Sequence, residues 1–394
     1  MHTAPDPVQN QTAVFATFDG SSTSENIAPE DIAPEDSSEE NALSRLLQVK
    51  EIYYEPAALE YPRGQEILSR YPDARRIEVA SHWQIPDLHG NEDSVEDWNR
   101  IKRTVLVLGV KKSIQARPND RSADFIAPSH SNGCAQACSY CFVARRKGFA
   151  NPITTFVNIE QIQKYLKRHA ARQGEKTIAS QTDPRYWVYE IGENGDCSVD
   201  AAICNNVKDL IALFRDIPNA KATFATKRVN RDLLNYDPQG KTRIRFSLMP
   251  QTIAQVVDIR TSSIDDRINA VNDFVNAGYE VHLNFAPVIY HDNWQKNYTA
   301  LFQQIDDTLS PTAKAQLQSE VIFLTHNEGL HQVNLGWHPQ GEELLWRPDL
   351  QEQKYSQNGD INVRYKRGFK GQLVSTFCDL LKQQLPYCNT RYAF

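Results

Sequence analysis

Three cysteines, in Cys134-Ala-Gln-Ala-Cys138-Ser-Tyr-Cys141, are spaced C-x3-C-x2-C. Thiolates this close together can converge on a single iron–sulfur cube. A 4Fe–4S cluster takes four ligands, so three local cysteines leave one iron open to a small molecule. Tyr140, beside the last cysteine, suits a site where a flat ring lies next to the cluster. Zinc is the competing reading, because it also takes cysteine and wants a fourth Cys or His. His130 lies four residues upstream, and Cys197, Cys204, Cys378 and Cys388 are also present. Zinc sites usually come as two separated pairs, such as C-x2-C, rather than one compact triplet.

The elements around the triplet read as a scaffold for it. Asp124-Phe-Ile-Ala-Pro-Ser reads as a strand, Ser131-Asn-Gly133 as a turn, and the cysteines as the loop that follows. From about residue 122, strands at 124–128, 186–191, 222–226, 243–248, 280–288 and 320–325 alternate with helical periodicity at 159–172, 204–216, 228–235, 265–277 and 293–309. Such alternation implies parallel strands with crossover helices. Six units predict an α/β fold, a partial (β/α)6 TIM-type barrel, whose functional residues sit at the C-terminal strand ends. The cysteine loop follows the first of those strands.

Upstream, helical patterning through Leu43, Leu46, Leu47, Ile52 and Tyr53 precedes short helices and loops over 60–102 and a strand at Val105-Leu-Val-Leu-Gly109. Beyond 330 a hairpin of 340–347 with 361–366 and a closing helix at 371–384 are expected. The domain reading is therefore an acidic tail at 1–44, an N-terminal extension at 45–118, a barrel at 119–330 and a C-terminal hairpin and helix at 331–394. The tail holds nine acidic residues, no Lys or Arg, and a tandem Ile-Ala-Pro-Glu-Asp at 27–31 and 32–36. It buries too little apolar surface to offset ordering entropy and reads as disordered.

With 43 basic and 49 acidic residues the formal charge is −6, but the tail misleads: 45–394 holds 43 basic against 40 acidic residues, about +3. That is no strongly basic nucleic-acid footprint, though a local patch is compatible with it. Seven cysteines, three of them clustered, fit a metal in a reducing compartment better than a disulfide scaffold. No apolar run approaches the roughly 20 residues of a membrane span, and no signal peptide is visible. A soluble, cytoplasmic protein is expected.

The cysteine spacing, with an aromatic just before the third cysteine, resembles the signature of the radical SAM superfamily. In that superfamily the open iron holds the amino and carboxylate groups of S-adenosylmethionine, and an electron from the cluster cleaves it to a 5′-deoxyadenosyl radical. More narrowly, the chain resembles the spore photoproduct lyase family of DNA-repair enzymes over roughly 102–330. Lys102-Arg-Thr-Val-Leu-Val-Leu-Gly109, Ser122-Ala-Asp-Phe-Ile-Ala-Pro128, Phe224-Ala-Thr-Lys227, Gly240-Lys-Thr-Arg-Ile-Arg-Phe-Ser247, Thr261-Ser-Ser-Ile-Asp-Asp-Arg267, Ala286-Pro287, Trp294, Tyr298 and Leu324-Thr-His326 carry the likeness. The resemblance implies a 4Fe–4S cluster on Cys134, Cys138 and Cys141. It also implies S-adenosylmethionine against Lys227, Ser247, Tyr140 and the Ala286 backbone. It implies a thymine photolesion in DNA as substrate and an electron donor such as a flavodoxin or ferredoxin. Another nucleic-acid or small-molecule substrate, or a non-catalytic metal-stabilised nucleic-acid-binding protein, are the alternatives.

Two departures touch the step that quenches the product radical. Where the family carries its hydrogen-donor cysteine, Glu190-Ile-Gly-Glu-Asn-Gly-Asp196 places Glu193, and Gly195 replaces a serine that contacts S-adenosylmethionine. Cys197 follows at once and is the substitute donor if the loop is re-routed. The family's tyrosine after the third cysteine is Phe142, which has no phenolic hydrogen. For DNA, Arg364 and Tyr365 resemble the family's lesion-flipping hairpin. Arg145-Arg146-Lys147 and Lys164, Lys167 and Arg168 offer phosphate contacts, or are ordinary solvated helix faces.

Overall fold

The computed structural model describes residues 46–83, 85, 86, 88, 95–141, 143, 152–355 and 361–394. The expected acidic tail, Phe142 and Arg145-Arg146-Lys147 lie outside the described residues.

The chain opens with β1 (Glu51–Tyr54), β2 (Arg75–Glu78) and β3 (Val105–Gly109). Helical patterning was expected around Ile52 and Tyr53, but Glu-Ile-Tyr-Tyr is a strand with parallel neighbours on both sides. Branched and aromatic side chains favour that pleated, half-buried setting. Next come two short strands, β4 (Arg117–Pro118) and β5 (Phe125–Ile126), then β6 (Ser131–Asn132) and β7 (Ile153–Phe156). Pairing order β2-β1-β3-β7-β6 makes a five-stranded first sheet. Strands on both sides of residue 119 thus belong to it, and the cysteine loop leaves from its edge.

The second sheet holds the six expected barrel strands. β5 is followed by β8 (Trp187–Glu190), β9 (Ala220–Thr226), β10 (Thr242–Ser247), β11 (Glu280–Val288) and β12 (Gln318–Phe323). All pair in parallel in that order. Helices Ile159–Gln173, Asn206–Asp216, Ile264–Asn276 and Trp294–Thr308 provide the crossovers. The result is a curled half-barrel, as the alternation implied. The 228–235 segment is only a short 3-10 turn, Arg231–Asn235, capped where Asn230 accepts from Asp232 N.

The interior of this barrel is ionic as well as apolar. Along β10, Ile244 and Phe246 join the main apolar core, while the alternate residues Arg243 and Arg245 are buried. Arg245 reaches Glu190 on β8, Glu320 on β12 at 2.8 Å and Thr223 Oγ1 on β9 at 3.1 Å. Arg243 meets Glu280 at 2.8 Å. Buried charges persist only when paired and hydrogen-bonded, and these pairs tie four strands across the barrel.

Beyond the barrel lie β13 (Thr325–Asn327), β14 (Gln351–Tyr355), β15 (Ile361–Tyr365) and β16 (Asn389–Ala393). The hairpin is β14 with β15, not 340–347 with 361–366. Pro339–Leu345 is instead a helix, as a proline in its first turn followed by Glu-Glu-Leu-Leu favours. Helix Arg367–Gln384 follows the hairpin, and β16 pairs in parallel with β12, extending the barrel sheet.

Candidate active site

The cysteine loop is held from several directions. Beneath it, the buried Lys102 ammonium donates to the Cys134 carbonyl at 3.3 Å and the Gln136 carbonyl at 3.4 Å. On one side Ala137 N donates to Ile259 O at 3.1 Å and Ser139 N to Val257 O at 3.0 Å. Opposite, Asn334 Nδ2 donates to Ser139 O at 2.6 Å. Gly133, at φ 91°, turns the chain into the loop, and its N–H donates to Asn194 O at 2.8 Å. All three cysteines are free and partly buried. Burial, and then the nearby Asp196 and Asp258 charges, push the Cys134 and Cys138 thiols up. As thiolates they need a cation among them.

These cysteines line a cleft of about 540 Å³ together with Tyr140, Glu193, Gly195, Lys227, Ser247, Asn284 and Ala286. Every expected site residue but Cys197 is therefore on one wall or another. Lys227 Nζ lies 5.3 Å from the centre of the Tyr140 ring, and its backbone N–H donates to Asp196 Oδ2 at 3.1 Å. The Tyr140 hydroxyl donates to Asp258 Oδ1. Ser247 Oγ accepts from Asn284 Nδ2 at 3.2 Å, and Asn284 Oδ1 is buried with no hydrogen-bond partner among the described residues. Asn284 was passed over in the sequence because nothing distinguishes it there from any strand asparagine.

The motif 261–267 supplies support rather than contact. Ser263 and Asp266 form a capping box, and Arg267 donates to Ser247 O at 2.8 Å and Asp258 Oδ2 at 3.0 Å.

Whether an iron–sulfur cube suits this site turns on Arg260. Its Nε, Nη1 and Nη2 are all buried with no hydrogen-bond partner among the described residues. Burial, and then Arg103, lower its guanidinium to about 10, while Cys134 and Cys138 oppose that. An unpaired buried guanidinium near Cys134 and Cys138 fits a net-negative cluster, whose sulfurs would accept its N–H groups. The residues present fit the group.

Cys197 does not fit its expected role in this arrangement. It opens helix Cys197–Ile203, is fully buried and does not line the cleft. Gly192 stands between, where an added Cβ would lie 3.1 Å from Cys197 Sγ. Glu193 does face the cleft, ion-paired with Arg117 at 2.5 Å. Gly195 has a steric reason: a Cβ there would sit 3.0 Å from Asp200 Oδ2 and 3.1 Å from Gly133 O. A side chain there would require Asp200 or the Gly133 carbonyl to give way by a few tenths of an ångström.

Of the DNA contacts, Tyr365 must be withdrawn. It is fully buried, and its hydroxyl accepts from Tyr290 N at 2.8 Å. Arg364 is paired with Glu352 at 3.0 Å, while Lys164, Lys167 and Arg168 are exposed on helix Ile159–Gln173. Among the described residues no helix is long and apolar enough to cross a membrane.

Comparison with known proteins matches residues 47–394 to a family model described as spore photoproduct lyase. A spore photoproduct lyase of Bacillus subtilis (strain 168) is 30% identical over 278 residues, 69% of this chain and 77% of the relative. One from Geobacillus sp. (strain Y412MC61) is 29% identical over 280 residues, with the same coverage. In three dimensions the chain is similar to a mutant spore photoproduct lyase with bound AdoMet and dinucleoside spore photoproduct, with a TM-score of 0.79 and 23% identity, covering 88% of this chain and 99% of the other. The likeness to a spore photoproduct lyase complexed with dinucleoside spore photoproduct has a TM-score of 0.78 and 24% identity at the same coverage. At those identities the two structures speak for the fold.

Proposed function

This chain belongs to the spore photoproduct lyase family of radical SAM enzymes, and from that premise we propose that it repairs a thymine photolesion in DNA at the cleft lined by Cys134, Cys138 and Cys141. The observation that carries the proposal is the convergence on one cleft of the three cysteines with Tyr140, Lys227, Ser247, Asn284 and Ala286. When bound, a 4Fe–4S cluster supplies the electron that splits S-adenosylmethionine into methionine and a 5′-deoxyadenosyl radical.

The chain's own residues have separable tasks. Cys134, Cys138 and Cys141 are the three ligands, and Arg260 and Lys102 place positive charge against them. Lys227 presents an ammonium for the S-adenosylmethionine carboxylate, a charge-assisted contact. Ser247 and Asn284 offer a hydroxyl and an amide to its polar groups. The Tyr140 ring, oriented by Asp258, packs against the adenine, and the Ala286 backbone borders the same space. The relatives' structures contain a dinucleoside lesion, and that substrate class is carried to this chain as part of the proposal.

Hydrogen return to the product radical is the step in which this chain differs. Aligned without a gap, Glu193 takes the position of the resembled family's donor thiol, and a carboxyl O–H bond is too strong to replace S–H. Cys197 is shut off behind Gly192. A donor other than these two, such as a second thiol or a bound co-reactant, completes the cycle. A cytoplasmic setting and a flavodoxin or ferredoxin as electron source belong to the same proposal.

The test uses anaerobically reconstituted protein with dithionite, S-adenosylmethionine and a synthetic thymine-dinucleotide spore photoproduct, following 5′-deoxyadenosine and thymidylyl-thymidine. Repair that is lost in Cys141→Ala supports the proposal. S-adenosylmethionine cleavage without repair would move it to a different substrate of the same chemistry, and absence of cleavage in cluster-loaded protein would overturn it.

A further inference from the structure

Behind the cleft wall, three donors from two elements meet in the interior. His130 precedes β6, and Cys197 and Asp200 occupy the first turn of helix Cys197–Ile203. Each is at least nine-tenths buried, and their ligating atoms all lie within 4.8 Å of one another. We propose that His130, Cys197 and Asp200 bind a divalent transition-metal ion, zinc by preference, separate from the cysteine-loop site.

The spacing is that of a metal's donor set, although the Cys197–His130 pair taken alone is also within reach of a hydrogen bond to sulfur. Cys197 Sγ is 3.6 Å from His130 Nε2, and His130 Nε2 is 3.8 Å from Asp200 Oδ2. With a Zn–S bond of about 2.3 Å and a Zn–N bond of about 2.0–2.1 Å, a tetrahedral S···N edge is about 3.6 Å and an N···O edge about 3.3 Å. The first distance matches a metal edge. The second is too long for a hydrogen bond and closes on a metal with a shift of a few tenths of an ångström.

Unmet polar atoms point the same way. Asp200 Oδ2 and His130 Nδ1 are buried without hydrogen-bond partners among the described residues, and Asp200 Oδ1 is held by Ser131 Oγ at 3.1 Å. A buried carboxylate oxygen with no donor calls for a cation or a proton. The Asp196 carboxylate nearby adds to the negative potential. Cysteinate, aspartate and neutral histidine around a dication sum to zero charge, the combination a closed interior tolerates. Ser131 Oγ or a water completes four-coordination.

Binding exchanges the Cys197 thiol proton, and the proton that burial keeps on a metal-free Asp200, for the metal, and both protons leave to solvent. No electron is transferred. The site would clip the first sheet, through His130, to the Gly192–Asp196 wall of the cleft. A Cys197 held as thiolate has no S–H to give, which separates it from the hydrogen-return step for a second, independent reason.

The experiment is metal analysis of the full chain expressed with zinc in the medium and dialysed against a chelator. Wild type and a Cys134→Ala/Cys138→Ala/Cys141→Ala variant are compared with Cys197→Ala and Asp200→Asn. One equivalent of zinc retained in the triple variant, and lost in Cys197→Ala or Asp200→Asn with iron content unchanged, is the expected result. If Cys197→Ala fails to fold, cobalt added to the triple variant reads the same point. A near-ultraviolet thiolate-to-cobalt charge-transfer band supports the site, and an oxygen- and nitrogen-only spectrum overturns it. Zinc that disappears with the three loop cysteines, or zinc absent throughout, overturns it as well. None of these readings depends on turnover.

Discussion

Tyr140 donates to Oδ1 of Asp258, and Oδ2 of the same carboxylate receives Arg267 Nη1 at 3.0 Å. One aspartate thus joins the aromatic ring between the second and third cysteines to the arginine that braces the end of β10. The side chains of Asp258 and Arg267 are both 0% exposed, so the pair is part of the interior and its disruption has an interior's cost.

Arg267→Met should destabilise the fold by about 3–5 kcal/mol, because it strands a buried carboxylate. Tyr140→Phe removes one hydroxyl and should cost about 1–3 kcal/mol. Urea unfolding of the cluster-free protein measures both. Equal effects, or a milder Arg267 variant, would count against the linkage.

Lys227→Met should weaken S-adenosylmethionine binding by roughly tenfold or more, the range for losing a charge-assisted contact. Iron content should not change, since Lys227 is not a ligand. Equilibrium dialysis of the reconstituted protein separates the two readouts.

Arg260→Met should lower the reduction potential of the cluster. A buried cation stabilises the more negative, reduced state, so its removal favours the oxidised one. A potentiometric titration followed by electron paramagnetic resonance should show a negative shift. A positive shift would show that the guanidinium does not face the cluster.

Acid sensitivity should come in part from His282. Burial, and then Arg243, hold its imidazole down at about 4 from 6.5, although Nε2 lies 2.9 Å from Glu280 Oε1. A depressed folded value means that the unfolded chain takes up the proton first as the pH falls. Its stabilising contribution is therefore complete above pH 6.5 and lost between 6.5 and about 4. At about 1.4 kcal/mol per pH unit, the loss over that window is on the order of 3–4 kcal/mol. Denaturation at a series of pH values should show that fall, and a His282→Gln variant should show a shallower one.

Legibility of the sequence varied with the kind of constraint. The six barrel strands could be read because period and alternation are local signals, and the cysteine triplet because its ligands are contiguous. Glu51–Tyr54 was misread because four residues cannot separate a strand from a helical turn. The 340–347 segment is helical to Leu345 rather than a hairpin strand because Pro339 opens a helical turn just before it. Arg245, Arg260 and Asn284 were invisible as functional residues, since each derives its meaning from partners supplied by other strands or loops. Tyr365 shows the reverse: a motif likeness placed it at the DNA, and packing placed it in the core.

The Asn334 tether on the cysteine loop spans 195 residues of sequence. Synthesis runs from the N-terminus, so the three cysteines leave the ribosome long before Asn334 exists. Over that interval the carbonyl of Ser139 lacks its amide donor, and the helix that carries Asn334 has yet to dock. Delivery of iron and sulfide has its widest opening then, before the C-terminal third arrives. Loading should accordingly be faster on the nascent or partly opened chain than on protein that has already closed.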